Sequence, residues 1–348
     1  MKQTNILQTI ILLLGMLLLT VGCNSDNDGI FRLISESEET VEVGTVTIIT
    51  HNGSTLFTHT TKGGLQSYDT NTENWTGITA EETPVYYVST NGTNIYYSAR
   101  SNEDVNNTLY SFPIAGPYTS TLINSDYDIL SMSAKYNLML TKEGTDEDVK
   151  VRKPSDSTDL ATYTDHNLNV LLLSQSDDYY LLSGYELDDD DNKEYKNTLY
   201  NGADAVTLNG VPDTVGVRAF YADDANANLT VIATDGTVYY DNNFDLSTIH
   251  TPASATLVEG EIVSLASTTV PLTSIPVLHK SGDEFFYVQG ANGYMFKIDP
   301  TPATPADNVV ETSFSDISPT VAISSFYYDG TEYYIGTIKN GILKITFP

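Results

Sequence analysis

Five histidines, one cysteine and one dense run of carboxylates are the residues whose chemistry would matter most in this chain. His51, His59, His166, His250 and His279 stand far apart, and no two have the H-E-x-x-H spacing that sets a pair of rings around zinc. No Gly-x-Ser-x-Gly elbow, Walker loop or dinucleotide glycine pattern occurs, so the sequence offers no catalytic residue. The run Glu186-Leu187-Asp188-Asp189-Asp190-Asp191-Asn192-Lys193-Glu194 is the densest set of oxygen ligands. Calcium takes several carboxylate and carbonyl oxygens, which makes Asp188 and Asp190 the candidate metal ligands. The run lacks the glycine turn and distal glutamate of an EF-hand loop, and a solvated acidic turn is the competing account. The only arginines, Arg32, Arg100, Arg152 and Arg218, are too few for a multi-arginine carboxylate clamp.

The lone cysteine, Cys23, closes an apolar segment. Lys2 and the stretch Ile10 to Leu19 read as a targeting sequence, shorter than the roughly 20 apolar residues a membrane span needs. It ends Thr20-Val21-Gly22-Cys23 and passes at once into Asn24-Ser25-Asp26-Asn27-Asp28. These residues resemble the bacterial lipoprotein signal, in which a small residue precedes a cysteine that is diacylated and becomes the new N-terminus. Thr20 stands where that family usually has Leu. The resemblance implies a signal peptide over 1–22, a lipidated tether over 23–29 beginning at Cys23, and a single domain over 30–348. It also implies an outer-membrane-anchored protein of the bacterial cell envelope, facing the periplasm or the surface. Each acyl CH₂ adds about 0.8 kcal/mol of attachment to a lipid bilayer. An ordinary signal peptide with an incidental cysteine is the alternative.

Charge excludes some partners. With 46 acidic against 16 basic residues the formal net charge is −30, which repels nucleic acid and keeps a monomer soluble. The chain has 24 Tyr but one Trp, and its abundant Thr, Ser and Asn suit strands and turns.

Short alternating runs recur after Cys23, separated by turns at His51-Asn52-Gly53, Thr90-Asn91-Gly92, Asp177-Asp178, Ser281-Gly282-Asp283 and Asp329-Gly330. Less regular copies fall at Ala134 to Asn137 and Asp223 to Asn228. Together these predict an all-β fold, a β-propeller of seven four-stranded blades repeating every roughly 40 to 55 residues. A pair of β-sandwiches is the structural alternative. Blade five is expected over Gly216 to Leu257, and the first strand of blade six between Ile262 and His279. Blade seven offers only three strands before the chain stops, and Ile30 to Ser35 is expected to pair with Ile342 to Phe347 and complete it. Two hairpins nearly repeat: Thr60, Lys62 and Gly64 fall on Thr337, Lys339 and Gly341.

The stretches Phe57 to Asp69 and Tyr334 to Ile345 resemble the propeller repeats in the periplasmic halves of some two-component sensors, which carry Gly-Thr, a short step, then Gly-Leu. Here Gly336-Thr337 is followed by Gly341-Ile342 after three residues, and the early copy has His59 for the first Gly. The resemblance implies fold and leaves the ligand open.

In such a ring all turns between second and third strands share a face. That face would carry Lys62, Arg100, Asp189, Asp235 and Lys339, the candidate binding residues. Tyrosine pairs such as Tyr96-Tyr97 and Tyr333-Tyr334 are expected to pack between blades, one ring to each side. The functional expectation is a lipid-anchored extracytoplasmic scaffold without cofactor or enzymatic activity, binding a protein or glycan partner. An extracytoplasmic glycosidase or lyase on a propeller is the first alternative, needing carboxylates, or a tyrosine with a basic residue, around the central channel. An accessory sensor or outer-membrane assembly subunit is the second.

Overall fold

The computed structural model describes residues 44–346, apart from 79–83, 100–107, 125–127, 143–147, 164–167, 203, 209, 224–227, 242–262, 270–276, 282–283, 289–293, 299–308, 315 and 319. Its strands form seven antiparallel sheets, each laid down in chain order. The first sheet is β1 (Val46–Asn52), β2 (Thr55–Thr60), β3 (Gly64–Asp69) and β4 (Asn74–Gly77). The second is β5 (Val85–Thr90), β6 (Asn94–Ala99), β7 (Thr108–Pro113) and β8 (Thr121–Asn124). The third is β9 (Asp128–Met132), β10 (Met139–Lys142), β11 (Val149–Arg152) and β12 (Asp159–Tyr163). The fourth is β13 (Leu168–Ser174), β14 (Tyr179–Leu187), β15 (Lys193–Asn201) and β16 (Asp204–Thr207). The fifth is β17 (Val217–Asp223), β18 (Asn228–Ala233), β19 (Thr237–Asp241) and β20 (Val263–Thr269). The sixth is β21 (Val277–Ser281), β22 (Glu284–Val288), β23 (Tyr294–Ile298) and β24 (Val309–Ser313). The last is β25 (Ile323–Tyr328), β26 (Tyr333–Thr337) and β27 (Ile342–Ile345).

The first strands line a hub, and apolar residues fill the gaps between neighbouring sheets. Ile49, Phe57 and Leu65 of the first sheet meet Ile95 and Phe112 of the second, and Tyr96 and Leu109 meet Ile129 and Met139 of the third. Val151 and Tyr163 meet Tyr180 and Leu182 of the fourth, whose other side sets Leu181 and Leu199 against Phe220 and Val231 of the fifth. Ile232 and Val238 meet Phe296 and Ile298, and Phe286 and Met295 meet Phe326 and Ile335 of the last sheet. The circuit ends where Tyr327 and Tyr334 pack on Val46, Ile48 and Leu56 of the first sheet. A pleated strand sends successive side chains to opposite faces, so each sheet can feed two such layers at once. Tyr96 and Tyr97 do this, as do Tyr333 and Tyr334.

Most hub strands carry a register irregularity near their start, as between Ile48 and Thr50, Val85 and Tyr87, or Ile323 and Ser325. A bulge leaves one residue unpaired and turns its side chain out of the alternation. Tyr86 is the residue skipped in β5, and it is 49% exposed where its sequence pattern predicts packing.

Two expectations are corrected. Six sheets are four-stranded, not seven; the last has three strands among the described residues, and the N-terminal segment Ile30 to Ser35 lies outside them. Face packing joins the last sheet to the first: Ser324 and Ser325 hydroxyls donate to the Val46 carbonyl at 2.5 and 3.1 Å, and Ile48 N donates to Ser325 Oγ at 3.1 Å. Gly336 lets this approach happen, since a Cβ there would overlap the Val46 oxygen. The region from Ile262 to His279 is also divided differently. Val263–Thr269 pairs with β19 as the outer strand of the fifth sheet, and only Val277–Ser281 opens the sixth.

Candidate functional site

Antiparallel order sends the first-to-second-strand turns to one face of the ring and the second-to-third-strand turns to the other. The second of these faces carries Lys62, Asp189, Asp235 and Lys339, all exposed on their turns. Arg100 and Cys23 lie outside the described residues. Asp188 accepts from Asp190 N at 2.9 Å and Asn192 N at 2.7 Å, with its other oxygen on Asn192 Nδ2 at 3.1 Å. Its carboxyl is thereby held below the usual range, chiefly by Asn192. Among the described residues no group of three or more His, Cys, Asp or Glu side chains is placed to hold a metal ion.

The opposite face brings chemistry together at the mouth of the hub. In the third sheet β9 and β10 are joined by an open bend, Ser133 to Leu138, instead of a tight turn. This bend is pinned on several sides. The Ser89 hydroxyl donates to the Tyr136 carbonyl at 2.5 Å, Asn137 N donates to Asp177 Oδ1 at 2.9 Å, and Ser133 and Ser174 hydroxyls meet at 2.5 Å. From it Lys135 reaches across the hub to β25, donating to the Phe326 carbonyl at 2.5 Å, with its ammonium 5.5 Å from the Tyr327 ring centroid.

Residues from other sheets meet on the same face of the ring. The Tyr327 hydroxyl lies 2.8 Å from His51 Nδ1, and Gln175 clamps the Ala222 backbone, donating to its carbonyl and accepting from its N–H. His279 of β21 packs against Phe326, Tyr328 and Tyr333, at 5.2, 6.2 and 5.5 Å between ring centroids. Tyr328 and Tyr333 stack on each other at 4.4 Å and 22°, and Tyr328 remains 42% exposed.

Burial governs ionisation here. It lowers the Lys135 ammonium to about 8, which leaves it charged at neutral pH. Burial, with the Lys135 charge added, lowers His279 to about 4, so that ring is neutral. Burial also raises Tyr136, with Asp177, Tyr221 and Tyr327 as further causes, and raises Tyr327. The mouth therefore presents the Lys135 cation, the Asp177 and Asp329 carboxylates, neutral hydroxyls and imidazole, and a flat aromatic face.

The sequence reading picks out His51 and His279, which it takes as isolated, and the tyrosine pairs such as Tyr333-Tyr334, which it takes as packing between blades. Its only signal is that Ala134 to Asn137 breaks the turn pattern, which makes room for a Lys-Tyr pair where other copies have Asn-Gly.

No family model matches the chain, and no curated protein matches it. Solved structures do. The crystal structure of the computationally designed Ika8 protein aligns with a TM-score of 0.54 at 13% identity, over 87% of this chain and 83% of that one. The crystal structure of the WD40 β-propeller domain of Doa1 aligns with a TM-score of 0.55 at 11% identity, over 89% of this chain and 95% of that one. At such identities the likeness is one of fold, and the fold is a β-propeller.

Proposed function

We propose that this chain is a lipid-anchored, extracytoplasmic binding scaffold that captures a protein or glycan partner without transforming it. The observation that carries the reading is the hub mouth, where a bend of the third sheet places Lys135 over the Tyr327 ring and within range of His279, which packs on Tyr328. Rigid blades holding a few polar and aromatic groups at one opening suit recognition. The opposite face, with Lys62, Asp189, Asp235 and Lys339, is the surface for a protein partner. Anchorage follows from the signal-like segment ending at Cys23. Radiolabelled palmitate should enter the wild type and not Cys23→Ala; labelling that survives the substitution removes the anchor. A glycan array paired with a reducing-end assay, and a pull-down with the mature chain, test the rest. Capture without release of reducing ends is expected.

A second reading, a polysaccharide lyase, has one observation in its favour: Lys135 and two tyrosines stand together at the hub, a cation beside hydroxyls that can exchange protons. Release of reducing ends that Lys135→Met abolishes would establish it in place of the first.

A further inference from the structure

Lys135 brings a positive charge out of water at the mouth of the hub. Among the described residues its ammonium, which has three donors, donates to the Phe326 carbonyl and lies over the neutral Tyr327 ring. Among the described residues its contacts include no carboxylate, in a chain with 46 acidic residues. Removing an ammonium from water without a counter-charge is unfavourable, and burial lowers its pKa to about 8. A methionine of similar shape would avoid that penalty. The residue that carries the ammonium is half-buried, on the open bend at the mouth of the hub.

The same opening holds the stacked Tyr328 and Tyr333 rings, the outer one exposed, with His279 between this stack and the region Lys135 influences. A flat aromatic face takes the apolar side of a sugar ring, and an ammonium takes a carboxylate. Overall charge narrows the class further: a surface at −30 repels polyanions, so the ligand that fits carries one negative group.

We propose that the hub mouth binds a short saccharide bearing a single carboxylate, received by Lys135, with a sugar ring laid on the Tyr328–Tyr333 stack. This rests on the binding-scaffold reading and names its ligand class.

The probe is an aldobiouronate, one glucuronate joined to one neutral sugar, titrated calorimetrically into the mature chain beside its carboxyl-reduced counterpart. Binding of the acid is expected to weaken at least tenfold on reduction, at least tenfold in Lys135→Met, and severalfold in Tyr328→Ala. Lys135→Met should melt at or above the wild-type temperature, which separates lost binding from lost folding. Equal binding of acid and reduced forms overturns the carboxylate claim while leaving a glycan-binding scaffold. Binding of neither sugar overturns the proposal, and the pull-down then judges the scaffold reading separately. Lys135-dependent capture of an N-acetylated acidic peptide in preference to the uronate also overturns the saccharide class.

Discussion

Tyr180 shows what a single side chain contributes between blades. Its ring is fully buried, stacks on Tyr200 at 4.9 Å and 8°, and its hydroxyl donates to the Gly202 carbonyl at 2.8 Å. Tyr180→Ala should cost about 3–5 kcal/mol in denaturant unfolding, as other large aromatic truncations do. Tyr180→Phe should cost about 1 kcal/mol, because only the hydroxyl bond goes. Similar losses in both would mean the ring itself contributes little. His279 gives a pH effect with a definite sign. Its pKa is about 4 when folded, lowered first by burial and then by Lys135, against an ordinary 6.5. The unfolded chain then binds more protons between those values, so the contribution is complete above about pH 6.5 and lost as pH falls to about 4. His279→Phe, set among Phe326, Tyr328 and Tyr333, should lose less stability than wild type between about pH 7 and pH 4.5 in urea melts. Equal losses would clear His279 as the cause. Packing of this kind is legible in the sequence as paired tyrosines. The hub cluster is not, because Lys135 meets Phe326 across 191 residues and neither residue type marks the meeting beforehand.

At the scale of elements, the repeated hairpin is legible in the sequence, and its two copies share a hydrogen-bond pattern. The Thr337 hydroxyl donates to the Gly341 carbonyl and accepts from Asn340 N; the Thr60 hydroxyl donates to the Gly64 carbonyl and accepts from Gly63 N. Gly64 and Gly341 both have positive φ, at 64° and 70°, which is why the glycine recurs at that place in the turn. Division between the fifth and sixth sheets is misread because Pro271 and Pro276 look like interruptions of one strand when they separate two. The junction of last and first sheets hides differently, since it depends on an absent side chain. Gly336→Ala would push a methyl group into the Val46 carbonyl and Ser325 hydroxyl. It should cost about 1–3 kcal/mol, against less than about 0.5 for the exposed Lys339→Ala on the same hairpin. Urea denaturation measures both, and equal small effects would show that the last sheet is not held closely on the first.

For the whole molecule, charge and fold pull against each other. A net −30 on a chain with 16 basic residues loads the folded surface with like charge, which unfolding would spread apart. Ion pairs relieve part of it: among the described residues Lys344 meets Glu332 at 2.9 Å, and Arg152 and Lys150 share Asp159. Screening should therefore stabilise the fold. The Debye length falls from about 30 Å at 0.01 M to about 8 Å at 0.15 M salt, short enough to uncouple charges on neighbouring blades. Raising sodium chloride across that range should raise the melting temperature measured by calorimetry, with most of the gain below about 0.1 M, where screening changes fastest. Choline chloride should match it, because screening depends on ionic strength and not on which cation supplies it. Calcium at equal ionic strength provides the contrast. A much larger rise with calcium alone would mean that a carboxylate cluster coordinates the ion, with the Asp188–Asp190 turn the first place to look. A melting temperature that stays flat or falls with sodium chloride would mean that the acidic residues are spaced too widely to strain the ring.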